Sequence, residues 1–222
     1  VVRLEQLEQF REQLRKIERH QIPDSNWFTE LAGVIHNHRL PVSAFHDLLS
    51  AFAQDVTRKR YRNFPEVLDY CRRSADPVGR LLLYLFGRAT PENLQRSDSI
   101  CSALQLVNFW QDVEIDYAKG RVYLPQDEME RYGVTERHIA ERRCDDAWRA
   151  LIQFQIERAR GMLRSGAPLG RALPGRIGLE IRVTVQGGLR ILEKLEGAGY
   201  DMFQHRPVLK WSDWPLILAR AL

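Results

Sequence analysis

Three oxygen-bearing side chains, Asn108, Asp112 and Asp116, recur at intervals of four in NFWQDVEIDYAKGRVYLP (residues 108–125). On a helix each such step advances the side chain by only about 40°, so the amide and both carboxylates project from one stripe. Oxygen ligands with no His or Cys among them suit a hard cation, and Mg²⁺ typically takes one or two carboxylates while keeping waters and substrate phosphates. Lys119, Arg121 and Tyr123 follow directly, supplying positive charge and a hydroxyl able to hold phosphate oxygens. Taken alone, two Asp residues four apart are more often a solvated helix face, and basic residues after a helix more often satisfy its last carbonyls. The neighbours argue for more. Leu104, Leu106, Val107, Phe109, Trp110, Val113 and Ile115 point in nearly every direction around the helix axis, so burial on most sides is expected. Ionised carboxylates facing inward there are costly unless paired or metal-bound.

The elements that must position this stripe are read as helices throughout. Leu4, Leu7, Phe10, Leu14 and Ile17 recur at three and four, as an amphipathic helix requires. Further helices are expected over 27–37, over 42–57 behind Pro41, after Pro65, over 76–87, over 97–117, over 144–164 and over 178–197. The Gly/Pro-rich SGAPLGRALPGRIG (165–178) separates the last two as a loop. Neither strand alternation nor an internal repeat is present, and no break resembles an interdomain linker, so residues 1–222 read as one all-α domain.

Composition narrows the function classes. A content of 44% hydrophobic residues can bury a core. Lys plus Arg outnumber Asp plus Glu by 33 to 29, but the signs alternate along the chain, which argues against nucleic acid as a partner. Cys71, Cys101 and Cys144 are scattered and odd in number, so a reducing cytoplasm is expected rather than a disulfide framework. The longest apolar run, LLLYLF at 81–86, is too short to span a bilayer, and no secretory signal precedes the first helix. A soluble or peripheral protein is therefore expected. With no initiator Met and a helix pattern under way by Leu4, the natural chain is expected to begin upstream. Gly-x-Gly-x-x-Gly after a strand and the Gly-x-Ser-x-Gly elbow are both missing. His36 and His38, two apart, face different sides of a helix and read as surface or capping residues.

QLVNFWQDVEIDYAKGRVYLP (105–125) resembles the second aspartate-rich motif of the squalene and phytoene synthases. Residues 48–87 and GYDMFQHRP (199–207) resemble further segments of that family, in order. The resemblance implies the isoprenoid synthase fold, a helical bundle around a central apolar cavity with metals at one end. It implies Mg²⁺ bound by Asn108, Asp112 and Asp116, with the two aspartates catalytic. It places Gln105 one turn ahead of the motif, Arg121, Tyr123 and Arg206 at the diphosphate, and Asp55 in an Asp-x-x-x-x-Arg-Tyr segment. Two features depart from the family pattern. No earlier Asp-x-x-x-Asp is present, which the chain is expected to have lost with helices upstream, and Gln111 stands where many members have Arg.

YCRRSADPVGR (70–80) resembles the version in bacterial hydroxysqualene synthases of hopanoid-type pathways. This implies presqualene diphosphate as substrate, ionised and captured by water without a nicotinamide, with Arg72 or Asp76 as candidates to position substrate and water. Phe52, Phe109 and Trp110 are candidates to face the carbocation, or else plain core. Two alternatives stay open: head-to-head condensation of two prenyl diphosphates, and a noncatalytic lipid-binding or assembly protein. The apolar, Trp-bearing WSDWPLILARAL (211–222) is either a terminal helix on the bundle or a peripheral membrane contact.

Overall fold

The computed structural model describes residues 2–222, and every regular element among them is helical. The heptad-like spacing at the start forms α1 (Val2–Glu18), which buries only Leu14 and Ile17. Ser25 then accepts a hydrogen bond from the Phe28 N–H and opens α2 (Asn26–His38), satisfying one of the donors a helix start leaves free. Behind Pro41, α3 (Val42–Thr57) follows. Leu14, Ile17, Ile35 and Leu40, with Phe45 and Leu49 of α3 packed against them, form a small apolar cluster that joins these three helices.

The main core lies beyond them. Asn63 caps α4 (Phe64–Ser74) through the Glu66 N–H, and α5 (Asp76–Leu85) follows after one residue. Thr90 accepts from the Asn93 N–H to open α6 (Pro91–Gln111), which starts six residues earlier than its hydrophobic pattern suggests. The reason is local, since Thr at the cap and Pro at the first helical position fit that place. Ile100, Ala103, Leu106, Val107, Phe109 and Trp110 of α6 are all buried, each large apolar side chain contributing about 1.5–3 kcal/mol. They are covered by α4, α5, α10 (Asp146–Gly166) and α12 (Gly175–Gly197).

Between α6 and α10 run three short helices, α7 (Val113–Ala118), α8 (Gln126–Arg131) and α9 (Glu136–Ala140). The last two carry too few residues for their period to show in sequence. The expected 165–178 loop holds one further turn of helix, α11 (Leu169–Ala172), packed on α12. After a 3-10 turn at Trp211–Asp213, α13 (Trp214–Ala221) also docks on α12. Asp213 accepts hydrogen bonds from Arg190 Nε at 2.8 Å, Lys194 Nζ at 2.5 Å and the Lys210 N–H at 2.7 Å. Ile217 and Ala221 are buried, whereas Trp211 is 90% exposed and Trp214, Leu216 and Leu218 are also exposed. The terminal segment is thus anchored on one face and bare on the other. Among the described residues no helix is long and apolar enough to cross a membrane.

A buried acid joins α5 to α6. Asp76, 3% exposed, accepts a hydrogen bond from Ser102 Oγ at 2.7 Å. Burial raises its carboxyl from 3.8 to about 7, with Asp98 adding repulsion, while Ser102, Arg80 and Arg72 act in the opposite direction. Because the folded pKa lies above the unfolded one, the folded state holds a proton that the unfolded chain has released between roughly pH 4 and 7. Stability falls as pH rises through that window, and the full cost persists above it. Asp76→Asn keeps an acceptor for Ser102 and removes the charge. The variant should match the parent near pH 4 and exceed it by up to about 4 kcal/mol at pH 8. Urea unfolding at both pH values checks this, and an equal difference at the two would refute it.

Candidate active site

The oxygen stripe does not sit on one unbroken helix. Asp112 ends α6 and begins α7, with φ −109° and ψ 18°, in the sparsely occupied region between helix and strand. The bend leaves the spacing intact, because the Asp112 N–H still bonds the Asn108 carbonyl at 2.9 Å and the Asp116 N–H the Asp112 carbonyl at 2.8 Å. The expected inward orientation holds only in part. Asp112 and Asp116 are half-buried, but Asn108 is exposed. The physical reason is that the helices covering α6 leave one strip of its circumference bare, and the stripe occupies it.

Gly120 brings the next charge back over this strip. With φ +76° it turns the chain, so that the Arg121 N–H bonds the Asp116 carbonyl and the Gly120 N–H the Tyr117 carbonyl, both at 2.8 Å. That is the paired hydrogen-bond pattern of a glycine-terminated helix. The returning strand is pinned to the α3–α4 connection by Val122 N–H to Lys59 O at 3.0 Å and Gln126 N–H to Tyr61 O at 3.0 Å. Arg121 is thereby set between two acids, 3.9 Å from Asp55 and 4.0 Å from Asp116. Its buried Nε has no hydrogen-bond partner among the described residues.

Arg206 reaches Asp112 from the C-terminal segment, Nε to Oδ1 at 2.5 Å. Gln111 holds that segment by donating to the Pro207 carbonyl, so the residue that departs from the family pattern has a positioning contact. Tyr70 donates to Asp55 at 2.8 Å. Sequence reasoning missed Tyr70, although it lies in the singled-out YCRRSADPVGR segment. Burial raises the Asp116 carboxyl, with Asp112 and Asp55 adding repulsion and Arg121 and Lys119 opposing. This carboxylate set is short of positive charge.

Tyr123 is only 7% exposed and stacks on Phe109 with ring centroids 3.7 Å apart. Burial pushes its hydroxyl up to about 12. Its hydroxyl nevertheless lies near enough to feel the charges of Arg121, Asp55 and Asp116. Phe109 and Trp110 are buried core, whereas Phe52 is 48% exposed. Phe52, Phe10, Asp55, Lys59, Lys119 and Arg121 line a groove of about 630 Å³ between α1, α3 and the turn after α7. The groove is open and its lining mixed, with charged residues of α1, α3 and the turn after α7 around its rim.

Gln105 is half-buried, one turn ahead of Asn108. Arg72 is not brought to this site. It is exposed and lies with Asp76 at a separate cavity of about 380 Å³, which shares no lining residue with the groove. Two residues along α4 from Tyr70 is roughly 200° around the axis, so while Tyr70 faces Asp55, Arg72 points away. The structure therefore does not bring Arg72 or Asp76, the candidates to position water, together with Asp55, Asp112 and Asp116.

Among the described residues no three His, Cys, Asp or Glu side chains converge into a closed metal cage. Asn108, Asp112 and Asp116 nevertheless fit a hard cation that completes its shell with water and phosphate oxygens. Asp116, only partly compensated by Arg121 and Lys119, and the orphaned Arg121 Nε beside it fit a ligand carrying both a cation and an anion.

Hydroxysqualene synthase of Rhodopseudomonas palustris is 38% identical over 152 residues, covering 68% of this chain and 52% of that protein. Phytoene synthase of Arthrospira platensis is 31% identical over 217 residues, covering 91% of this chain and 70% of its relative. The crystal structure of squalene synthase HpnC from Alicyclobacillus acidocaldarius superposes with a TM-score of 0.84 at 34% identity, over 88% of this chain and 74% of that one. The all-α isoprenoid synthase fold is shared with it. The chain spans about half the length of the Rhodopseudomonas relative. Since the profile of the squalene/phytoene synthase family matches residues 1–214, the chain belongs to that family.

Proposed function

We propose that this protein converts presqualene diphosphate and water into hydroxysqualene and diphosphate. The observation that carries the reading is the half-buried Asp112–Asp116 stripe flanked by Arg206 and by Arg121, whose Nε is unpartnered. Such a site suits a diphosphate leaving group. The YCRRSADPVGR segment and the likeness to a protein named hydroxysqualene synthase support the choice of substrate.

In this reading the carbon–oxygen bond to diphosphate breaks with both electrons leaving on oxygen. Water then forms the new carbon–oxygen bond and releases one proton, so no external reductant enters. Arg121 and Arg206 donate to diphosphate oxygens as negative charge develops on them. Lys59 and Lys119 on the groove rim add positive potential that favours an anionic substrate. Phe52 and Phe10 present exposed aromatic faces to the apolar chain and to the carbocation. Asn108, Asp112 and Asp116 would hold Mg²⁺, which when bound supplies Lewis-acid neutralisation of the departing diphosphate.

Head-to-head condensation of two prenyl diphosphates is the second reading, favoured by phytoene synthase relatives that match nine-tenths of the chain. The two differ in product. Given presqualene diphosphate and MgCl₂ without NADPH, the intact protein should release diphosphate and a C30 alcohol in equal amounts. Squalene formed only on NADPH addition sinks the proposal, and presqualene diphosphate formed from farnesyl diphosphate establishes the alternative.

Asp112→Asn and Asp116→Asn should each lower turnover by about 10²-fold or more, as loss of transition-state charge stabilisation does. Stability should move by less than about 1 kcal/mol, since the Asp112–Arg206 pair is partly exposed. Steady-state kinetics beside thermal melts separate the two effects, and near-normal turnover by either variant would remove the metal assignment.

A further inference from the structure

A second basic pocket lies at α11, away from the carboxylates. Arg164, Arg171, Arg182 and Arg220, from α10, α11, α12 and α13, line a pocket of about 330 Å³ that contains no acidic side chain. Elsewhere on these helices arginines are neutralised, Arg158 by Glu128 and Arg160 by Glu157 and Glu196. Here only Arg220 meets a carboxylate, Glu193 at 2.5 Å. The Arg164 and Arg171 side chains, both exposed, have neither an ion pair nor a hydrogen bond among the described residues, so their guanidinium donors are open to an anion.

The pocket is built, not incidental. Arg182 is fixed by donating to Gly170 O at 2.8 Å and to Ala221 O, which ties α11 and α13 to α12. Gly170 is required for that approach, because a Cβ there would stand 2.5 Å from Arg182 Cγ. Arg182 and Arg220 are therefore held in place, with Arg164 and Arg171 free to close on a ligand.

We infer that this pocket binds a phosphate group, through guanidinium N–H donors that match its oxygens in pairs. Two sources carry that chemistry: a free phosphate ion, and the headgroup of an anionic phospholipid. Leu216, exposed and one turn before Arg220 on α13, places apolar surface beside the charge, as a lipid contact would need.

The intact protein is titrated calorimetrically with inorganic phosphate in EDTA, and sedimented with vesicles of phosphatidylglycerol or of phosphatidylcholine. Saturable phosphate binding without vesicle recovery assigns the free ion, and recovery on phosphatidylglycerol alone assigns the headgroup. In either case Arg164→Gln with Arg171→Gln should weaken binding by about tenfold or more, as loss of two charge-assisted contacts does. Arg164→Lys with Arg171→Lys should retain most of it, and turnover should be unaffected by both pairs. Independently of any variant, the bound probe should slow hydrogen exchange over 164–173 and not over 112–121. Binding of neither probe, undiminished binding by the folded glutamine pair, or protection confined to 112–121 would overturn the inference.

Discussion

The burial of α6 is the constraint from which the site follows. A helix apolar in nearly every direction has to be covered nearly all round, and α4, α5, α10 and α12 do so. The strip they leave is where Asn108, Asp112 and Asp116 lie. These oxygen-bearing side chains are therefore held on a scaffold whose core side chains, Trp110 and Leu106 among them, are fully enclosed. Close packing of that kind transmits little slack to the side chains above it.

Charge at the site is arranged by one turn and one side-chain hydrogen bond. The left-handed Gly120 returns Arg121 to lie between Asp55 and Asp116, and the Gln111–Pro207 bond brings Arg206 to Asp112. Each cation is shared with acids at its margin, at distances in the first case too long for strong hydrogen bonds. Such contacts hold the acids apart while leaving guanidinium donors uncommitted, the condition a diphosphate-binding site needs.

Two other buried acids show how differently the same fold treats a carboxylate. Lys194, the Lys210 N–H and Arg190 hold the Asp213 carboxyl well below its usual range, and it anchors α13 as an anion. Asp76 has one hydroxyl partner and rises towards neutrality. The balance between desolvation and the donors within reach decides between the outcomes.

Much of this was legible in the sequence. Periodicity located the long helices, Val42–Thr57 to the residue, because an apolar face repeats wherever a helix must be buried. The four-residue spacing marked the stripe, since neighbours four apart share a helix face whatever surrounds them. Gly120 was legible in principle as a glycine closing a helical pattern. What the sequence could not decide by itself was orientation. Whether Asn108 faced inward or outward, whether Arg72 joined Asp55 or turned from it, and whether Arg164, Arg171, Arg182 and Arg220 met at all depended on how helices distant in the chain pack. Local spacing determines which residues share a face, whereas only long-range packing, driven by non-directional burial of apolar surface, determines what each face meets.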